Sequence, residues 1–302
     1  MARQAIPATL PFMPYLQVPN PDSQTPVEIY YEDWGRGAPV VLIHGWPLNH
    51  QMWEHQSLYL AGQGLRVIAY DRRGFGKSSQ PWTGYDYDTL AADLKALLDA
   101  LELQNVTLVG FSMGGGEVAR YMSRYGGDGR VARVAFVAAV PPYLLKTDDN
   151  PEGVDGSVFQ QMKDGLHKDR ADFLNEFGKK FYGSAALGLG VAVSAAQAQW
   201  TLQMAMPASP KATLDCVTAF GTTDFRRDLA AIHVPALVIH GDNDQTVPIA
   251  ASGERTAKML PHAQYLVYPG APHGLHVLQK DRLNADLLAF ASGTAPVDAA
   301  RA

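Results

Sequence analysis

One cysteine, Cys216, stands among 302 residues. The chain can therefore close no internal disulfide and can build neither a cysteine-based zinc site nor a dithiol redox pair. Runs of Lys or Arg are missing and the formal net charge is −5, which argues against nucleic acid and an anionic membrane surface as partners. No apolar run reaches the roughly 18–20 residues needed to span a bilayer. The opening MARQAIPATLPF has one arginine and no long apolar stretch, so no secretory signal is expected, and a reducing cytoplasm is the expected compartment. There are no internal repeats. Leu187 to Gly190 is glycine-rich but lacks a preceding strand, so it does not read as a dinucleotide loop. His273 and His276 are three apart, yet no acidic partner motif accompanies them, and they are not expected to hold a metal.

Hydrophobic residues make up 47% of the chain, enough for a sizeable core. They fall into short continuous runs at Pro39 to Ile43, Arg66 to Tyr70, Val106 to Val109, Val131 to Val140, Ala236 to Ile239 and Gln264 to Tyr268, the form taken by buried parallel strands. Pro14 to Val18 and Val27 to Trp34 read as two further strands joined by the turn-rich NPDSQTP. Helical patterns separate most of the runs. Between Asp88 and Leu103 a stripe of Leu90, Leu94, Leu97, Leu98 and Leu101 marks one helix face, with Asp93 and Lys95 expected to face away. Alternating strand and helix predicts an α/β fold with an eight-stranded, mostly parallel sheet and any site at the carboxyl ends of the strands.

The alternation lapses between Pro141 and Gly221. This stretch carries Phe159, Met162, Phe173, Phe177, Phe181, Trp200, Met204 and Met206, and reads as a helical insertion with an apolar underside. Some of these side chains would line a pocket; most would simply pack the insertion onto the core. The expected division is a core of residues 13–142 and 222–292, a cap of residues 143–221, and flexible ends at 1–12 and 293–302.

The rest of the chain is organised around Val106 to Tyr125, VTLVGFSMGGGEVARYMSRY, where an apolar strand runs through Ser112 into an amphipathic helix. Ser112 sits in G-x-S-x-G between Gly110 and Gly114. A strand that turns sharply into a helix holds its serine in a strained conformation, and glycine two positions either side removes the collisions this turn would cause. A hydroxyl presented there, near backbone N–H groups, is suited to nucleophilic attack. It needs a base and the base needs a carboxylate, in the order Ser, Asp, His at later strand ends. ALVIH leads into Gly241-Asp242-Asn243-Asp244-Gln245-Thr246-Val247-Pro248, and YLVYP leads into Gly270-Ala271-Pro272-His273-Gly274. His273 is the base candidate. Spacing alone leaves Asp242 and Asp244 both open as the acid, and Asp242, directly after the strand, could as easily hold its own loop through backbone N–H groups. The oxyanion donors expected are the N–H of Met113 and that of Trp46, in the loop after PVVLIHG. Pro47 constrains the backbone of Trp46 and so the direction of its peptide groups.

HGWPLNHQMWEHQ, AYDRRGFGKSS, VGFSMGGGEVARY, VIHGDNDQTVP and APHG together resemble the α/β-hydrolase superfamily, and within it the cofactor-free bacterial haloperoxidase and aryl-esterase branch, from about Met13 to Gly293. The resemblance implies Ser112 as nucleophile, Asp244 as acid, His273 as base, and Trp46 and Met113 as oxyanion donors. It implies that Asp71 and the segment from Arg72 to Ser79 are structural, and that Phe111, Tyr143, Val247, Pro47 and Thr246 surround the acyl group, with Thr246 more polar than an aliphatic residue expected there. The implied substrates are small or aromatic esters. No metal or haem would take part: hydrogen peroxide would replace water on the acyl-enzyme and the released peracid would oxidise halide. A homo-oligomer is the implied assembly. A lactonase or amidase using the same residues is the alternative activity, and a non-catalytic ligand receptor on the same scaffold the alternative of another class. A haloalkane dehalogenase is excluded, because it needs aspartate where Ser112 stands.

Overall fold

The computed structural model describes residues 14–20, 23–183 and 193–294. Leu187 to Gly190, the expected ends apart from Gly293 and Thr294, and part of the NPDSQTP turn lie outside the described residues. Every apolar run named above becomes a strand: β1 (Tyr15–Val18), β2 (Val27–Gly35), β3 (Pro39–Ile43), β4 (Arg66–Tyr70), β5 (Val106–Phe111), β6 (Val131–Val137), β7 (Ala236–Gly241) and β8 (Gln264–Tyr268). They form one eight-stranded sheet in the order β1-β2-β4-β3-β5-β6-β7-β8. β2 is antiparallel to both β1 and β4, and the remaining pairs are parallel. β3 and β5 are among the most deeply buried strands, which is why their sequences are continuously apolar rather than alternating.

The helices are α1 (Glu54–Gly62), α2 (Tyr87–Ala100), α3 (Met113–Tyr125), α4 (Gly156–Lys168), α5 (Arg170–Phe181), α6 (Ala195–Ala205), α7 (Pro210–Thr222), α8 (Arg226–Ala230), α9 (Gly253–Met259), α10 (Leu275–Leu278) and α11 (Lys280–Ala291). α2 starts where the Asp86 side chain accepts the Thr89 N–H at 2.9 Å, and it buries Leu90, Leu94, Leu97 and Leu98. One expectation on this helix fails. Asp93 does not face away: it is buried, and its carboxylate accepts Nε and Nη2 of Arg73 at 2.6 and 2.7 Å. Asp93 lies one turn from Leu90 and so shares its face, and a two-pronged arginine partner is what makes a carboxylate tolerable there. Burial still pushes the Asp93 carboxyl up to about 6 against the opposing pull of Arg73.

α4 to α7, followed by the short α8, fill the stretch between β6 and β7. Short polar side chains set the boundaries of the first four: Asp155, Asp169, Ser194 and Ser209 cap the starts of α4, α5, α6 and α7 by accepting backbone N–H groups. The connection from Asp71 to Ser79 is a knot of internal bonds. The buried Asp71 carboxylate accepts the His50 N–H and Nδ1 at 2.7 Å each and the Lys77 N–H at 2.8 Å. Among the described residues, no helix is long and apolar enough to cross a membrane.

Candidate active site

The carboxyl ends of β3, β5, β7 and β8 deliver four loops to one edge of the sheet. β5 ends at Phe111, and α3 begins at Met113, so Ser112 alone makes the turn, with φ 53° and ψ −119°. Left-handed φ is costly for a residue with a side chain. The neighbours make room for it. A Cβ at Gly110 would stand 2.5 Å from the Gly114 carbonyl oxygen, and one at Gly114 would stand 2.6 Å from that of Ile43. Only glycine lets β5, α3 and the end of β3 meet so closely.

Ser112 Oγ lies 3.0 Å from His273 Nε2, and His273 Nδ1 lies 2.6 Å from Asp244 Oδ2. With a carboxylate as the only role for Asp244, Nδ1 carries the proton and donates, leaving Nε2 to accept the serine hydroxyl. All three side chains are nearly sealed, at 6%, 1% and 4% exposure for Ser112, His273 and Asp244. Asp244 Oδ1 accepts the N–H groups of Thr246 and Val247 at 2.8 Å each, and Oδ2 also lies 3.3 Å from Nε2 of His240. Burial alone would raise the Asp244 carboxyl, but His273 and His240 outweigh it and hold the group well below the usual carboxylate range. Asp242 has a different place. It is exposed, and its Oδ1 accepts the Gly270 N–H at 2.6 Å, tying the aspartate loop to the histidine loop.

His273 is held by rings as well as by Asp244. Phe111 and Phe181 stand 4.9 and 5.0 Å from it, centroid to centroid. Behind it lies His276, fully buried in contact with Phe111, with neither ring nitrogen partnered among the described residues. Burial and the nearby His273 push its pKa down to about 3, so the ring is neutral. Among the described residues, no group of three or more His, Cys, Asp or Glu could hold a metal ion.

At the opposite side of Ser112, the loop from His44 to Leu48 turns on a Leu48 N–H to Gly45 carbonyl bond of 3.1 Å, and the Trp46–Pro47 peptide within it is cis. Trp46 is locked by its Nε1, which donates to the Thr213 carbonyl at 3.1 Å, and by edge-on contact with Phe177 and Phe220. A buried ion pair braces the loop from below. Arg72 Nη2 donates to the His44 carbonyl at 2.7 Å, and its guanidinium pairs with Glu117 on α3, whose other oxygen accepts the Tyr70 hydroxyl at 2.6 Å. This pair carries no recognisable motif, because a Glu one turn into a glycine-rich helix looks like an ordinary solvated residue.

Above Ser112 opens a cavity of about 310 Å³. Trp46, Thr246 and Val247 line it, together with Phe159, Met162, Phe173, Phe177 and Phe220 from α4, α5 and α7. The other three pocket candidates do not. Pro47 lines a separate cavity of about 80 Å³ on the far side of Phe177. Phe111 is fully buried beneath His273, where the strand's alternation turns it away from the serine. Tyr143 faces Arg226, whose guanidinium carbon lies 5.3 Å from its ring centre.

A serine on a strained strand-to-helix turn, linked through histidine to aspartate along the carboxyl edge of such a sheet, defines a class of protein. The chain belongs to the α/β-hydrolase-fold family, whose model matches residues 38–279. Its solved likeness includes a bromoperoxidase from Bacillus anthracis, 52% identical, covering 89% of this chain and 97% of that one with a TM-score of 0.85. A non-heme chloroperoxidase of Kitasatospora aureofaciens is 45% identical over 87% of this chain and 96% of its own. A bifunctional esterase/perhydrolase of Acinetobacter calcoaceticus is 41% identical over the same 87% of this chain and 96% of its own.

Proposed function

We propose that the protein is a serine hydrolase of small or aromatic carboxylic esters that also transfers its acyl group to hydrogen peroxide, with no cofactor. The observation that carries the reading is the Ser112, His273 and Asp244 hydrogen-bonded chain opening into a mainly apolar cavity. His273 takes the Ser112 proton as Oγ attacks the ester carbonyl, and Asp244 stabilises the imidazolium that forms. The oxyanion is received by the N–H of Met113, which heads α3 where backbone donors have no intrahelical acceptor, and by that of Trp46. The alcohol leaves with the proton from His273. Water or peroxide then attacks the acyl-enzyme, giving acid or peracid. α4 to α7 act as a cap, and their phenylalanines give the acyl group an apolar wall. The activities for which the relatives are named support both outcomes.

The test is ester turnover and peracid formation by wild type and Ser112→Ala, over p-nitrophenyl esters of increasing acyl length, with and without peroxide. Ser112→Ala should keep its fold by circular dichroism and lose ester turnover by about 10⁴-fold or more. An active Ser112→Ala protein would sink the mechanism. A wild type that makes acid but never peracid would leave the esterase and remove the perhydrolase.

A further inference from the structure

We propose that Met162 is an oxidation site that the enzyme modifies by its own product; this rests on the perhydrolase reading above. The placement of the methionines is what points to it. Met52, Met113, Met122 and Met204 are buried at 5% exposure or less, and Met206 and Met259 lie on the outer surface at 39% and 37%. Met162 belongs to neither group: it is half-buried on α4 and lines the cavity that contains Ser112. Among the described residues it is the one methionine in that cavity's wall.

A peracid released from the Ser112 acyl-enzyme is formed inside this space. One molecule confined to about 310 Å³ stands at a local concentration of about 5 M, far above the millimolar levels free in an assay. The thioether is a soft, polarisable nucleophile. Its sulfur lone pair attacks the terminal oxygen of the peracid. An S–O bond forms as the O–O bond breaks, the sulfur is oxidised by two electrons, and the peracid proton ends on the departing carboxylate. The products are a methionine sulfoxide and the carboxylic acid that hydrolysis would have given. The sulfoxide places a polar oxygen among Phe159, Phe173, Phe220 and Leu144, the wall that receives the acyl group. Activity on apolar esters therefore declines with peracid made rather than with time.

The test follows sulfoxide at each methionine by peptide mass spectrometry and peracid by halogenation of a dimedone in the same samples. Wild type with an acetate ester and peroxide is compared with peroxide alone, with added peracetic acid, and with Ser112→Ala given ester and peroxide. In the turnover arm, sulfoxide at Met162 should exceed that at Met206 and Met259 by about tenfold, as confinement predicts. The excess should vanish with peroxide alone and in Ser112→Ala, and shrink when peracetic acid is supplied from outside. Met162→Leu, measured against its own initial rate, should sustain that rate for several-fold more turnovers than wild type. Peracid formed with Met162 no more oxidised than the two surface methionines would overturn the inference and leave the perhydrolase standing. Absence of peracid in the turnover arm would remove both. Equal rate decay in wild type and Met162→Leu would refute the self-limiting consequence.

Discussion

Replacing Glu117 by Gln keeps the side-chain shape and removes one charge, and the structure gives a size for the effect. Glu117 and Arg72 are 0% and 1% exposed. Burial pushes the Glu117 carboxyl up, with Arg72 and the Tyr70 hydroxyl holding against it. Glutamine leaves a guanidinium in the interior with no counter-charge, and removing one partner of such a pair costs about 3–5 kcal/mol. Tyr70 can reorient its hydroxyl toward the new amide, which recovers part of that, so about 3 kcal/mol is expected out of a total of roughly 5–15. Urea denaturation should show a lowered midpoint at unchanged slope. Removing both charges in Arg72→Met with Glu117→Leu should recover most of the loss, because two well-packed apolar side chains replace the pair at little net cost. The pair also fixes the His44 carbonyl, two residues before Trp46, against the helix headed by Met113. Folded Glu117→Gln should therefore lose kcat by about 10- to 100-fold with little change in KM, as expected when the two proposed oxyanion donors, Trp46 and Met113, shift relative to each other. A stability loss below about 1 kcal/mol together with an unchanged kcat would refute the reasoning.

Two further predictions concern titratable groups. Asp244→Asn should cost about 10⁴-fold in kcat because the imidazole loses the partner that fixes its tautomer, whereas Asp242→Asn should weaken only the loop tie to Gly270, by about 1 kcal/mol; steady-state kinetics beside thermal melts decide, and the reverse pattern would reassign the acid. His276 titrates near 3 when folded and near 6.5 when unfolded, so below pH 6.5 the unfolded chain takes up a proton that the folded one refuses. Relative to His276→Phe, wild type should lose about 1.4 kcal/mol of stability per pH unit as pH falls from 6.5 toward 4. A stability difference between the two proteins that stays flat with pH would show that His276 is not buried neutral.

The strands were legible because a strand buried on both faces must be apolar at every position, as in PVVLI and ALVIH. Ser112 was legible because its turn demands glycine at two fixed positions. Legibility fell where identity depends on a partner far along the chain. Asp93 looks solvent-facing until Arg73, 20 residues earlier, is seen to meet it. The same holds for Glu117 and Arg72, 45 residues apart. Asp242 and Asp244 are indistinguishable by spacing, and only the loop's path turns one toward His273 and the other toward Gly270. Pro47, Phe111 and Tyr143 sit beside cavity residues in sequence, but the direction a side chain takes from a loop or a strand end is set by packing that no local pattern records.

The bonds joining Ser112, His273 and Asp244 begin and end at the tips of β5, β7 and β8, while much of the cavity wall comes from α4, α5 and α7. Heritable change can thus act on the two separately. Exchange of Phe159 or Phe173 reshapes what enters without disturbing the proton path, so a duplicated gene can drift toward a new ester while its reactive centre stays intact. Phe181, whose ring rests on His273, and Phe177 and Phe220, whose rings hold Trp46, are the exceptions, and a library aimed at new substrates should leave them alone.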